Sequence, residues 1–283
     1  MPEAGAPGPA AARSGQDTPA FSFGRIAAMV LRYVYLFRSS WPRLLELTYW
    51  PTMQMVMWGF MTLYLREMTS FFAQAAGVLI AGVLLWDVLF RGQLGVSISF
   101  LEEMWSRNLG HIFVSPLRPA EFIASLMVMS LLRTLIGVLP AALLAIVLYD
   151  VSVFDMGLPL LAFFVNLQVM GWAMGLAVCG VLMRWGLGAE SIAWLAIFAI
   201  APFSGIYYPL SVMPDWLQEI VRILPSAHIF EGMRSVLIHH SFRLDLLFNA
   251  VALNVAYIAA GIVAFLYFFR LSRRHGLILQ IGE

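Results

Sequence analysis

Six stretches of this chain are too long and too apolar to be laid out in water: Leu44–Leu65, Phe71 to about Phe90, Phe122–Tyr149, Leu158–Met183, Ile192–Tyr208 and Leu246–Phe269. A helix that crosses the hydrocarbon of a bilayer needs about 20 mostly apolar residues. The second run continues as helical pattern to Phe100, and the fifth is short and carries Pro202 and Gly205. Lipid offers no hydrogen-bond partner, so each run has to satisfy its own backbone as a helix. The pattern predicts an all-α membrane protein with six transmembrane helices. Composition agrees: 61% of the 283 residues are apolar and 12% charged, where a soluble domain has about 25% charged.

The placement of charge sets the expected topology. All 17 basic residues are arginines, and arginine gathers on the cytoplasmic side of membrane proteins. With both termini inside, the cytoplasmic set is Arg13, Arg25, Arg32, Arg38, Arg43, Arg91, Arg107, Arg118, Arg184, Arg270, Arg273 and Arg274. Only Arg66, Arg222, Arg234 and Arg243 fall outside, with Arg133 inside a span. A net charge of +1 provides no field to recruit nucleic acid. Residues 1–20, rich in Pro, Ala and Gly and lacking an apolar signal segment, read as a disordered cytoplasmic tail. Residues 21–275 form the transmembrane unit, and 276–283 a second cytoplasmic tail.

Between residue 21 and the first span, Phe23, Ile26, Val30, Val34 and Phe37 repeat at helical spacing, with Arg25 and Arg32 on another face. This predicts an amphipathic helix lying in the interface, its arginines meeting lipid headgroups. A plain orientation signal is the simpler alternative.

The segment LEEMWSRNLGHIFVSPLRPAEF, 101–122, is polar between two apolar runs. Leu101, Met104, Trp105 and Leu109 line one side of a short amphipathic helix, and Glu103 and Arg107 stand at the i, i+4 spacing of an ion pair. Gly110 is the expected helix break. Pro116 and Pro119 make a turn, with Pro119 and Glu121 opening the next span, an acid at the positive end of its dipole. Such a peg suits docking to another protein; an ordinary exposed loop is the alternative. A second unusual stretch, Ser204–His240, is cut by Pro209, Pro214 and Pro225 into two short amphipathic helices. One opens at Asp215, with Gln218 three later, and the other at Ser226, with Glu231 and Arg234 opposite its apolar face. These fit re-entrant helices in the outer leaflet, or helices lying on the outer surface.

Inside the spans, Asp87 and Arg91 stand one turn apart, and Arg133 is isolated. An unpaired arginine in lipid costs roughly 3 kcal/mol on insertion scales, so Arg133 requires a partner, and Asp87 is a candidate. Gly171, Gly175 and Cys179 recur every fourth residue, a seam for close helix packing. Cys179 is the single cysteine, which excludes disulfides within the chain. No phosphate-binding GxxxxGK[ST], no HExxH, CxxC or GxSxG occurs, and His239 and His240 are adjacent, a poor metal pair. The chain shows no catalytic, cofactor or metal apparatus of its own. Glu46 and Asp87 alone approach the buried carboxylates that proton-coupled transport requires.

Taken together, EEMWSRNLGHIFVSPLRPAEF and Gly205 with YYPLSVMPDWLQEIVRILPSAHIFEGMR resemble the permease subunits of ABC-2 type exporters. The family has a cytoplasmic coupling helix followed by a Ser/Thr-Pro-Leu-x-Pro turn, then Gly-x-x-Tyr/Phe-Pro, Trp-Leu after a second proline, and a third proline. The resemblance covers about residues 21–275. It implies that Glu102, Glu103, Trp105, Arg107 and Asn108 contact a separate ABC ATPase, which binds ATP and Mg. It implies a pair of permeases, as a homodimer, in the plasma membrane, around a path lined by the first, second and fifth spans. Gly205, Tyr208, Pro209, Pro214, Trp216, Pro225, Glu231 and Arg234 would form its external gate. The substrate implied is a drug, lipid or glycan-type amphiphile, moved outwards, in a short-form half-transporter. The competing class is an ATP-independent channel, secondary transporter or scaffold.

Overall fold

The computed structural model describes residues 21–275 apart from Thr69, and of residues 65–76 and Phe113 only the backbone. The two expected tails, 1–20 and 276–283, lie outside the described residues. The described chain is helical from α1 to α10, without a strand among the described residues.

The first helix, α1 (Phe23–Arg38), is followed after a two-residue turn by α2 (Trp41–Met68) and then α3 (Ser70–Trp105). The α3 helix does not stop near Phe90 or Phe100. It runs through the first turn of the polar knob, because Ser97, Ser99 and Glu103 are all enclosed by neighbouring helices and the backbone has no reason to break. The break comes at Arg107, in the left-handed region at φ 53°. Gly110, the expected break, lies inside the next short helix, α4 (Leu109–Val114).

The α5 helix (Pro119–Tyr149) opens with proline at its first position, where the missing N–H costs nothing. It ends at Asp150, whose φ of 55° lets Val151 N–H bond back to Ala145 O at 3.3 Å, closing the helix in the manner of a Schellman turn. α6 (Leu158–Trp185) returns, followed by α7 (Ser191–Ile200), α8 (Asp215–Val221), α9 (Pro225–His239) and α10 (Leu244–Arg274).

Four stretches are long and apolar enough to cross a membrane: Gly77–Trp105, Pro119–Tyr149, Leu158–Ala189 and Leu244–Arg274. The α2 helix matches them in length, but Glu46, Gln54 and its Trp and Tyr residues dilute its apolar content. The expected fifth span, 192–208, is the other departure: α7 and its 3-10 turn end at Phe203, about 20 Å of helix against a core of about 30 Å. Pro202 and the left-handed Gly205, at φ 75°, stop it there.

The α3 helix is the axis of the bundle. Its apolar window is 78% buried, against 17% for α10, so α3 touches protein nearly all round while α10 leaves most of its face to the surroundings. The small-residue seam of α6 is what brings α3 so close. A Cβ on Gly171 would stand 2.8 Å from Gln93 N, and one on Gly175 would stand 2.8 Å from Gln93 O. Cys179, fully enclosed, continues the seam with its Sγ 3.9 Å from Val96 O. On its other side α6 meets α10 at Gly261, where an added Cβ would be 2.5 Å from Ala173 O. Asn254 ties the same pair, donating to Asn166 at 3.0 Å. Two apolar clusters fill the halves of the bundle: Tyr33, Phe100, Phe122 and Phe265 towards the α3–α4 turn, and Leu89, Phe163, Phe230 and Met233 towards the opposite end.

Candidate functional site

At the α3–α4 end, every acid of the knob is taken by an arginine from another element. Glu103 is 1% exposed and accepts both terminal nitrogens of Arg32, at 2.5 and 3.0 Å, with Asn108 Nδ2 at 2.7 Å. Glu121 is fully buried and accepts from Arg25 Nε at 2.8 Å, Arg25 Nη2 at 2.5 Å, and the backbone N–H groups of Ser22 and Arg118 at 2.8 and 2.9 Å. Glu102 takes Arg133 at 2.8 Å, with Arg43 at 3.8 Å. Bidentate arginine–carboxylate pairs of this kind fix orientation as well as adding energy.

Arg25 and Arg32 lie two helical turns apart on α1, so both reach acids of α3 and α5. They do not point at headgroups as the sequence pattern suggested; Phe23, Leu31 and Tyr35 form the exposed side of α1 instead. The physical reason is burial, since Glu103 and Glu121 need compensating charge and lipid phosphate does not. The hydrogen bonds that Arg32 donates to Glu103 raise its pKa above the ordinary value, and burial does the same to the Tyr33 phenol beside it.

Arg133 is paired, but with Glu102 and not with Asp87. Gly95 of α3 lies against Ser130 and Arg91 lies against Gly137, so the turn opposite Arg133 falls near residues 92–95, with Asp87 and Glu102 each roughly 10 Å from it in opposite directions. The arginine snorkels along the bundle to bridge that gap, and its guanidinium lies 4.3 Å from the Phe37 ring on the way. Asp87 remains with Arg91, Oδ2 to Nε 3.9 Å.

What the knob turns outward is smaller than the sequence suggested. Trp105 is 47% exposed and its Nε1 donates to Glu190 at 3.3 Å, linking the knob to the turn before α7. Arg107 and Pro116 are exposed, Asn108 half-buried, and Pro119 begins α5. The carboxylate of Glu103 belongs to the interior.

The opposite end is organised by Arg234. Its Nη2 donates to the backbone carbonyls of Gly205, Ile206 and Tyr208, the last two at 3.0 Å, and Nη1 pairs with Glu231 at 3.1 Å. Glu231 in turn accepts Leu210 N–H at 2.9 Å. Sequence periodicity put Arg234 on the polar side of its helix; the structure buries it, because the irregular backbone at 205–208 leaves carbonyls that only a multidentate donor can satisfy. The Tyr208 hydroxyl closes the same turn on Pro202 O at 2.5 Å, and Tyr207 stacks on Trp58 of α2, centroids 5.0 Å apart. The two short helices behave differently. α9 is built into the bundle, with Pro225, Ile229, Phe230 and Met233 buried against α3, α6 and α10. α8, opening just after Pro214, keeps Trp216 and Ile220 exposed.

No group of His, Cys, Asp and Glu among the described residues has metal-binding geometry. A search among curated proteins gives no match to this sequence. The model of the ABC-2 type transporter family matches residues 28–238. That interval takes in most of α1, the α3–α4 knob, the Gly205–Arg234 assembly and most of α9. With its apolar bundle, the chain therefore belongs to the ABC-2 type transporter family, as a multi-pass membrane permease of an ABC transporter.

Proposed function

We propose that this chain is the permease of an exporter driven by a separate ABC ATPase, and that the α3–α4 knob is its cytoplasmic coupling helix. In this reading α2 and α7, the latter continued by its 3-10 turn and the irregular backbone to Tyr208, complete six crossings, both termini are cytoplasmic, and two copies form the transport path in the plasma membrane. The partner supplies ATP and Mg chemistry, and an amphipathic lipid, glycan or drug-like compound moves outwards. The observation that carries the reading is the set of arginine–acid links at the knob. A push on exposed Trp105 and Arg107 is delivered through Glu102, Glu103 and Glu121 to α1, α2 and α5 together.

Glu103 thus transmits from inside, while Trp105, Arg107 and Asn108 meet the ATPase. The test is gentle extraction and identification of co-purifying subunits, with ATP hydrolysis assayed on the assembly. Recovery of the chain without an ATPase, even after mild crosslinking, would favour an ATP-independent transporter or scaffold.

Two variants separate docking from folding. Trp105→Ala should weaken ATPase binding about tenfold or more, as loss of an aromatic anchor does, while the thermal unfolding of the permease alone stays close to wild type. Glu103→Arg should lose stability by about 3 kcal/mol, the cost of breaking a buried pair. Adding Arg32→Glu to it should restore a large part of that loss. If the double variant is no more stable than Glu103→Arg alone, the α1–α3 link is not what holds the knob.

A further inference from the structure

The arginines of this chain are partnered unevenly. Arg25, Arg32, Arg43 and Arg133 meet the acids of the knob, and at the opposite end Arg222, Arg234 and Arg243 each have an acid of their own. Where α6 and α10 finish beside each other, Arg184, Arg270, Arg273 and Arg274 are all exposed, and none of them is paired with an acid among the described residues. The two helix ends are pinned together there, Ser272 Oγ donating to Met183 O at 2.9 Å, so the four charges share one level of the bundle. The negative end of each helix offsets about half an elementary charge, far short of the excess.

These charges continue the face that α10 turns away from the bundle. Arg270, Arg273 and Arg274 stand at i, i+3 and i+4, neighbours on one side of the helix, and the exposed Val255, Ala259, Val263 and Tyr267 run up to them along that side at intervals of four. The apolar window of α10 is 17% buried, and the surroundings of a membrane-spanning helix are lipid. Its apolar run ends at Phe269, and the arginines follow within a turn or so, at the depth where acyl chains give way to headgroups. Tyr267 and the exposed Trp185 fit the same depth as interface aromatics. Two of the guanidinium groups lie near rings, Arg184 at 6.0 Å from the Trp185 centroid and Arg273 at 5.9 Å from that of Phe269. A guanidinium resting on a ring keeps its N–H edge for a phosphate oxygen. Arg270 and Arg274, like charges one turn apart, repel each other until an anion joins them.

We propose that the α6–α10 corner is a binding site for a resident anionic phospholipid. Arg270 and Arg274 hold its phosphate, Arg184 and Arg273 stand beside them, and an acyl chain lies along the stripe from Val255 to Tyr267. A protein partner matches less well, because the charges prolong a lipid-facing stripe without a break, whereas the knob, with Trp105 and Arg107 exposed, does not continue one. Orientation in the membrane requires basic residues at this end, but any position there would serve; it does not call for unpaired arginines gathered at one corner. The site depends on neither the ATPase nor the direction of transport, so it stands or falls separately from the exporter reading.

The test uses the full chain in nanodiscs of phosphatidylcholine, with a trace of phosphatidylglycerol or of phosphatidylcholine carrying the same photoactivatable diazirine on its acyl chain. Wild-type protein should crosslink the phosphatidylglycerol probe in preference, on peptides that contain Val263 or Tyr267. Arg270→Gln combined with Arg274→Gln should lower that yield about tenfold and leave the phosphatidylcholine yield unchanged. Arg38→Gln combined with Arg43→Gln removes the same charge from the α1–α2 turn, whose helices pack on α3 and α5, and should leave the labelling of α10 as in wild type. Equal labelling of wild type by the two probes would overturn the site. So would an equal fall in the two double variants, since a diffuse surface field would then account for the attraction. If the α10 variant is not recovered folded, competition on wild type decides: unlabelled phosphatidylglycerol added to the disc lipid should displace the label and phosphatidylethanolamine should not, and equal displacement by both overturns the site.

Discussion

Gly171→Val should leave little folded protein. The added carbons meet backbone, with Gln93 N at 2.8 Å and Gly92 Cα at 2.9 Å from the first of them, and backbone of a packed helix cannot turn aside as a side chain can. α6 would have to back away from α3 along the whole Gly171–Cys179 seam, and α10 is fixed to the other side of α6 through Gly261 and Asn254. The expected loss is about 3 kcal/mol or more, the upper end of overpacking effects. Gly188→Ala is the control: it has nothing within 4 Å of an added Cβ and should be neutral. Heating detergent-solubilised protein and following the monodisperse fraction reads both. Equal melting of the Gly171 and Gly188 variants would show that α3 and α6 do not approach as closely as described.

Arg234→Leu should be as severe by a different route. Removing the side chain strips donors from the carbonyls of Gly205, Ile206 and Tyr208 and leaves Glu231 without its counter-charge. A buried group deprived of its partner costs 1–3 kcal/mol on average, and roughly 3–5 where an ion pair is broken. Because Tyr207 and the Tyr208 turn hang on these bonds, the change should also free the 205–210 loop and expose its amides to hydrogen exchange. Changing Arg234 and Glu231 together, to Leu and Gln, should recover the ion-pair part of the loss but not the loop protection. Loop exchange unchanged in Arg234→Leu would mean that the prolines alone hold this turn.

Why some of this was legible in the sequence and some was not follows from where the partners lie. The runs that became α3, α5, α6 and α10 announce themselves through length and apolar content, and the Gly171–Gly175–Cys179 spacing announces a packing face. Partners distant in sequence do not. The sequence offers Asp87 as a candidate for Arg133 because it is an acid within a neighbouring span, whereas the long side chain travels along the bundle to Glu102. The arginines of α1 carried one available clue, since their two-turn spacing puts both on a single face towards Glu103 and Glu121. Arg234 had none: its acceptors are main-chain carbonyls, which every residue possesses. Periodicity was equally silent on α8 and α9, because an apolar stripe looks the same whether bundle or bilayer covers it.

The enclosed thiol at the α3–α6 seam has a practical side. Cys179 is the single cysteine, and helix backbone on both sides shields it from reagents in water. The native chain is therefore already a near-silent background for site-directed labelling. A spin label or fluorophore placed at an engineered cysteine on Trp105, Trp216 or the outer side of α1 reports from that position alone, and pairs of such labels measure how one end of the molecule answers the other.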